Sequence, residues 1–369
     1  MRVLIAGGGT GGHLFPALAI AEELGRQAPG VEVLFIGSEH GLEREVVTRE
    51  GFPFAPVHLR GWSRRLGWKT LQFPLSLLRG LVQSYLIVRR FRPHVVVGTG
   101  GYVSGPALLW SALIGLPTLI QEQNSLPGAT TRILSRRVDE VHLSFAGSRR
   151  YFRRRDHLRM SGNPLRSALG RTDRDQACRA LSFDPDRPVV LITGGSQGAH
   201  SINLAVAEEF ERLADQRVQV LWQTGSRDLE EIRRRCEGKG DRTVITDFIK
   251  DMSLAYAAAD VVVCRAGATT VAEVAACGLP AVFIPFPFAT ADHQRFNALA
   301  MVNAGAAEMV LNGQLKEGRL MQVLLPLLAD ESKRQAMAEK SKRFGRPQAA
   351  ATVARAVCRL AERGGKHRS

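Results

Sequence analysis

Three short glycine-rich stretches, each behind an apolar run and ahead of a helical pattern, are the residues here best suited to hold a phosphate. They are Gly7-Gly8-Gly9-Thr10-Gly11-Gly12-His13, Gly98-Thr99-Gly100-Gly101-Tyr102-Val103-Ser104-Gly105 and Thr193-Gly194-Gly195-Ser196-Gln197-Gly198-Ala199-His200. A bend of this kind bares backbone N–H groups to an anion, and the helix N-terminus behind it favours negative charge. The helix dipole contributes roughly 0.3–1 kcal/mol at an exposed site. Each hydrogen bond to a charged group contributes about 1.5–3 kcal/mol, so the N–H donors dominate the grip. Two or three such bends suit a site that handles more than one diphosphate.

A fourth stretch, Asp260 to Asn297, supplies a different chemistry. The apolar run Val261–Cys264 enters Arg265-Ala266-Gly267-Ala268-Thr269-Thr270, with Glu273 expected in the first turn of the helix that follows. A carboxylate at such a rim has two acceptor oxygens and suits a vicinal diol such as a ribose. Its structural rival is a capping box, Thr270-x-x-Glu273, closing the helix start. His13 opens the first helix directly after its glycines, where the neutral imidazole is favoured and can take a proton; holding the loop in shape is its structural rival. His200, at the equivalent place in the second half, reads as structural. Glu122, in Gln121-Glu122-Gln123-Asn124 at a strand end, is a second candidate base and equally a positioning group.

Other chemistries fit less well. Gly7, Gly9 and Gly12 spell the dinucleotide fingerprint G-x-G-x-x-G, but Gly37-Ser38 stand where its acidic residue belongs. No Gly-Lys-Ser/Thr ending makes any loop a P-loop. Asp173-x-Asp175 lies in a polar linker and Asp184-Pro185-Asp186 reads as a turn, so neither is read as a metal site. The five cysteines are scattered, with no CxxC or Cys/His cluster. No bound metal or cofactor is expected.

The elements that must position these residues follow from periodicity. Short apolar runs (Val3–Ala6, Val33–Ile36, Phe54–Leu59, Val95–Val97, Thr118–Ile120) alternate with helical patterns, then one more helix and strand precede Ser161-Gly162-Asn163-Pro164. The same grammar restarts with runs at Val189–Ile192, Val218–Trp222, Val244–Thr246, Val261–Cys264 and Ala281–Ile284. This predicts two doubly wound α/β domains with parallel sheets, residues 1–162 and 163–343. A last helix at about 344–363 is expected to return to the first domain. The uncharged run Pro93–Gln121 is broken by Gly98, Gly100, Gly101, Gly105, Pro106, Gly115 and Pro117, and reads as a buried α/β unit rather than a membrane span.

The net charge of +15 is concentrated in residues 1–162, which hold 21 Lys/Arg against 11 Asp/Glu. No acidic residue lies between Glu50 and Glu122, and three of the four tryptophans do. Trp62, Arg64, Arg65, Trp68, Lys69, Phe73, Leu77 and Arg79 mix cations with apolar groups, as in docking on an anionic bilayer surface, at about 1 kcal/mol per cation. No zinc finger, RNP or helix-turn-helix signature accompanies them, so no nucleic acid is expected. Without a signal peptide, the chain reads as cytoplasmic.

Taken together, Gly8–His13, Gly98–Pro106, Gln121–Asn124, Gly162-Asn163-Pro164-Leu165-Arg166, Gly194–Ala199, Cys264–Glu273 and Asp292-His293-Gln294 resemble the MurG family, the N-acetylglucosaminyltransferases of peptidoglycan precursor synthesis. The resemblance spans nearly the whole chain in order. It implies the GT-B architecture, two Rossmann-like domains facing across a cleft, and an enzyme at the cytoplasmic face of the inner membrane. It implies inverting transfer from UDP-N-acetylglucosamine to the muramyl 4-hydroxyl of undecaprenyl-pyrophosphoryl-muramyl-pentapeptide (lipid I), giving lipid II. A GT-B transferase with another lipid acceptor, such as a diacylglycerol, is the rival. Glu273 would take the ribose and the Ile249 backbone the uracil. Gly195, Ser196 and Arg166 would hold the diphosphate, and Asn124 and Gln294, or His293 beside it, the sugar. Thr10, Gly11 and Gly12 are carried over to the UDP-N-acetylglucosamine side, and Gly9, Gly101, Tyr102 and Ser104 to the acceptor. Other cell-wall synthesis and division proteins are expected partners.

Overall fold

The computed structural model describes residues 1–39, 42–59, 73–166, 169–170, 172–240 and 242–366. The chain divides into two compact units: Met1–Arg166 with Pro347–Ser369, and Ser167–Arg346. The division falls four residues beyond the expected boundary at Gly162.

In the first unit, strands β1 (Arg2–Gly7), β2 (Glu32–Ser38), β3 (Phe54–Val57), β4 (Val95–Gly100), β5 (Thr118–Glu122), β6 (Glu140–Leu143) and β7 (Leu158–Met160) form one sheet. Their order is β3-β2-β1-β4-β5-β6-β7 and every pairing is parallel. Both faces are covered, which explains the nearly continuous apolar strands. Val3, Ile5, Val95 and Val97 face helix Gly11–Gln27 through Leu14, Leu18 and Leu24, and helix Ala349–Lys366 through Val353, Val357 and Leu360. Leu4, Ala6, Val96 and Val141 face the other way, onto Val88 and Leu108 of helices Phe73–Phe91 and Ser104–Leu113.

Strand β6 carries polar residues toward the last helix. His142 Nε2 lies 3.1 Å from Glu140, and Arg359 donates to both Glu140 oxygens at 2.8 and 2.9 Å. The hydrogen bond from His142 does most to lower the Glu140 carboxyl; burial opposes it, Arg359 adds to it, and the value settles at about 2. A depressed carboxyl stabilises the fold fully above its ordinary 4.5 and loses that contribution as pH falls toward 2. Because the Arg359 side chain is about half exposed, Glu140→Gln is expected to cost about 1–2 kcal/mol at pH 7, a charge-assisted hydrogen bond discounted for solvent screening, and to flatten the acid limb of urea midpoints. A midpoint unchanged at pH 7 would contradict this.

The second unit has strands β8 (Val189–Thr193), β9 (Gln219–Gln223), β10 (Thr243–Thr246), β11 (Val261–Cys264), β12 (Ala281–Phe283) and β13 (Ala307–Met309), in parallel order β10-β9-β8-β11-β12-β13. Val190, Ile192, Val220, Trp222, Val261 and Val263 meet Val206, Phe210, Leu324 and Leu327 in one core. Strand order reverses between β1 and β4 in the first unit and between β8 and β11 in the second. Crevices beyond the carboxyl ends at such switch points are where open α/β sheets bind ligands. All the glycine loops lie there.

Candidate active site

In the first unit two glycine loops interlock. Gly100 and Gly101 have φ of +103° and +77°, and a Cβ on Gly101 would lie 2.2 Å from the Gly8 carbonyl oxygen. A Cβ on Gly100 would lie 2.7 Å from His13 Nδ1. Only glycine satisfies both the left-handed conformation and the close approach. His13 is half-buried at the start of its helix, its Nδ1 2.9 Å from Gln123 Oε1. Gly9, Thr10 and Tyr102 are exposed around it. Thr10 sits at the N-cap without a side-chain cap bond, and Gly11 and Gly12 begin the helix.

Ser104 is buried and donates to the Gly101 carbonyl at 2.9 Å, so it braces the loop instead of facing an acceptor. Glu122 is also buried. Its oxygens accept from the backbone N–H of Asn124 at 3.0 Å and of Gly128 at 3.3 Å, shaping the turn after β5. Glu122 thus has a positioning task in that turn. Arg166, expected on the diphosphate, is paired with Glu22 and Glu50 within the first unit, the latter at 2.7 Å. Glu43 was missed from sequence: its buried carboxylate accepts from the Gly9 N–H. Its only sequence signal was an acidic first turn of helix Leu42–Arg49.

In the second unit Gly195, Ser196 and Gln197 stand exposed after β8. Their bend is fixed by Gly198 N–H on the Gly195 carbonyl at 2.8 Å and by the Gln223 amide on the same carbonyl at 3.0 Å. A Cβ on Gly198, whose φ is +71°, would lie 1.8 Å from the Thr224 carbonyl oxygen. His200 Nδ1 sits 3.0 and 3.1 Å from the Asp228 oxygens, a structural engagement.

The capping-box reading of Glu273 is excluded. Gly267 holds the N-cap of helix Ala268–Cys277, so Glu273 lies in the second turn. Its carboxylate accepts from the Tyr256 hydroxyl at 2.9 Å. Burial raises this carboxyl to about 7, with the Tyr256 hydrogen bond pulling the other way. Thr269 Oγ1 is buried with no partner among the described residues. Ile249 is buried between β10 and helix Met252–Ala258, beside exposed Phe248. Arg265 does not point freely into a crevice. It donates to the Ile284 and Pro285 carbonyls, Asn312 and Ser201 at 2.8–3.2 Å, bolting the loop after β12 to the helix behind the Gly194–Gly198 bend. At the start of helix His293–Asn303, Gln294 Oε1 accepts from Phe286 N–H of that loop at 2.9 Å, and His293 Nδ1 is 2.8 Å from the Thr290 carbonyl.

The first Asp-x-Asp pair starts a helix, where a polar linker is expected from sequence, and the second is a turn. Asp173 caps helix Arg174–Ala180 and Asp184 accepts from the Asp186 N–H. Among the described residues no three His, Cys, Asp or Glu side chains gather as a metal site.

On the membrane segment, Trp62, Arg64, Arg65, Trp68 and Lys69 lie outside the described residues, as does the Phe73 side chain. Leu77 corrects the expectation: it is partly buried and packs against the core of the first unit. Helical spacing turns the opposite stripe outward instead, with Leu78 58% and Leu86 57% exposed beside Leu75 and Val82. Arg79, Arg89 and Arg90 are exposed on the same helix. Trp110 is a packing residue, donating to the Leu81 carbonyl at 2.9 Å. No described helix is long and apolar enough to cross a membrane.

Two parallel-sheet α/β units thus carry glycine bends at their switch points. The glycosyltransferase family 28 N-terminal domain matches residues 3–143 and the family 28 C-terminal domain matches residues 189–353. A transferase of Prosthecochloris aestuarii is 43% identical over 98% of this chain and 99% of its own. It is named UDP-N-acetylglucosamine--N-acetylmuramyl-(pentapeptide) pyrophosphoryl-undecaprenol N-acetylglucosamine transferase. The crystal structure of MurG from Acinetobacter baumannii superposes with a TM-score of 0.78 at 29% identity, covering 97% of this chain and 99% of that one. A calicheamicin glycosyltransferase shares the fold alone, with a TM-score of 0.70 at 16% identity over 98% of both chains. The chain belongs to the MurG family within glycosyltransferase family 28. The diacylglycerol acceptor gains nothing from these relatives.

Proposed function

We propose that the protein transfers N-acetylglucosamine from UDP-N-acetylglucosamine to the muramyl 4-hydroxyl of lipid I, forming lipid II with inversion at the anomeric carbon. The observation that carries this reading is the matched pair of amide-lined bends, Gly8–His13 with Gly98–Tyr102 and Gly194–Gly198, at the switch points of two units whose relatives act on two pyrophosphate-bearing substrates. The second unit takes the donor: Glu273 the ribose hydroxyls, Ile249 the uracil edge, Gly195 and Ser196 the diphosphate, and Gln294 the sugar. The first takes the acceptor pyrophosphate at Gly9, Gly101 and Tyr102, with Asn124 toward the sugar.

The reaction is one in-line displacement through an oxocarbenium-like transition state. The acceptor oxygen attacks the anomeric carbon and passes its proton to His13. The bond to the UDP oxygen breaks with its electron pair going to the diphosphate. Amide donors of the Gly194–Gly198 bend meet that charge where it develops. No metal takes part in this scheme, so turnover is expected to persist in EDTA, and its loss would overturn that part. Incubating the protein with labelled UDP-N-acetylglucosamine and a lipid I analogue tests the whole; no labelled lipid product, with the protein folded and donor bound, rejects it.

The protein docks peripherally on an anionic membrane through the Leu75-Leu78-Val82-Leu86 stripe and its arginines. Vesicle binding should rise with anionic lipid and weaken with salt. Leu78→Glu should weaken it at least about tenfold, the loss of one inserted leucine. Equal binding to neutral vesicles would remove the electrostatic part.

A further inference from the structure

The direction of the Gln123 side chain decides which His13 nitrogen carries a proton. Gln123 is 1% exposed at the end of β5. Its amide nitrogen lies 2.6 Å from the Thr99 carbonyl, 3.1 Å from the Gln121 carbonyl and against the Gln121 side-chain oxygen. All three are acceptors. The reversed amide would press an oxygen against three oxygens in a buried position, so the nitrogen faces these groups. Gln121 is fixed in the same sense, because its own amide nitrogen donates to Ser144 Oγ at 3.0 Å and the Gly162 carbonyl at 3.3 Å. Ser144 passes its proton on to the Glu122 carbonyl at 2.9 Å. Every donor in this buried chain points away from His13.

Gln123 Oε1 is therefore left facing His13 Nδ1 at 2.9 Å, and an amide oxygen only accepts. We infer that Gln123 is a positioning residue that holds neutral His13 with its proton on Nδ1 and leaves the Nε2 lone pair to receive the acceptor hydroxyl's proton. This rests on the reading of His13 as the base. The hydrogen bond made by one ring nitrogen sets the state of the other. Gly100 closes the ring's near side, its missing Cβ falling 2.8 Å from His13 Cε1 and 3.4 Å from Gln123 Oε1. When Nε2 takes the proton, the imidazolium keeps donating from Nδ1 to the neutral amide, which itself takes up nothing.

The test is a long-range 1H–15N correlation spectrum of the full-length, 15N-histidine-labelled protein at alkaline pH, with His13→Ala identifying the His13 signals. The expected wild-type pattern is the Nδ1–H tautomer, shifting toward Nε2–H in Gln123→Met. In turnover, Gln123→Met should lower kcat by about 10–100-fold, within the span of general-base contributions, with KM for UDP-N-acetylglucosamine unchanged. An Nε2–H wild type, or an unchanged tautomer in Gln123→Met, overturns the inference; the wild-type spectrum decides even if a variant fails to fold. The Nδ1–H tautomer together with full turnover by His13→Ala removes the base reading instead, and leaves the hydrogen bond without a catalytic purpose.

Discussion

His13→Ala is expected to lower kcat by about 10²–10⁴-fold, the usual share of a general base, with no change in the affinity for UDP-N-acetylglucosamine. The donor residues proposed above, Glu273, Ile249, Ser196 and Gln294, all belong to Ser167–Arg346, whereas His13 belongs to the unit that begins the chain. Removing the imidazole therefore leaves the uridine and diphosphate contacts intact. The bends around it lose one ring packed against Gly100, not their left-handed backbone. Isothermal titration with the donor and single-turnover kinetics with the lipid I analogue separate binding from chemistry. Full turnover at unchanged donor affinity would take His13 out of the proton transfer.

The second large effect falls on the donor. Glu273→Gln should weaken UDP-N-acetylglucosamine binding by about 10–100-fold, because hydrogen bonds to a charged acceptor contribute about 1.5–3 kcal/mol each. The pH dependence is more diagnostic than the size. The free protein's Glu273 carboxyl is raised to about 7 by burial, with Tyr256 opposing. Facing it are the Tyr256 hydroxyl from helix Met252–Ala258, Cys264 from β11 and Cys277 from its own helix, all with protons held more tightly than usual by burial. Accepting two ribose hydroxyls requires the ionised form, so donor affinity should rise as pH goes from 6 to 8 and level off above. In Glu273→Gln the profile should be flat. Tyr256→Phe, which removes the hydrogen bond that lowers the carboxyl, should move the midpoint upward. The same raised carboxyl makes the native state bind more protons than the unfolded chain between about 4.5 and 7, so this group's contribution to stability falls as pH rises through that window. Donor affinity independent of pH in the wild type would dissociate Glu273 from the ribose.

Which parts could be read in the sequence follows from what each residue faces. Val261–Cys264 is buried on both sides, and its apolar run has the bounds of the strand itself. The glycine bends were legible because their backbone needs, positive φ and close approach, admit one residue type. Strand β6 was expected without bounds, since Glu140 and His142 interrupt its pattern to meet Arg359 from a helix more than 200 residues later. Strands β7 and β13, three residues each, are too short to show a period. At the site, residue types were visible but partners were not. Thr270-x-x-Glu273 has capping spacing, yet the helix begins at Ala268 and the carboxylate finds Tyr256 17 positions earlier. Arg166 looked free for a phosphate until Glu22 and Glu50 were seen beside it. Gln123 carried no signal, because its part depends on which end of an amide three distant oxygens select.

The polypeptide leaves the first unit after Arg166 and re-enters it at Pro347. During synthesis the first sheet therefore emerges with part of one face uncovered, and Val353, Val357 and Leu360 reach the apolar side of helix Gly11–Gln27 only after the whole second unit has been made. Domains usually mature in the order they leave the ribosome; here the earlier-made unit must wait for the later one. A chain stalled or clipped before Pro347 would expose greasy surface on its amino-terminal portion, far in sequence from the lesion, making that portion the natural target for chaperones and proteases.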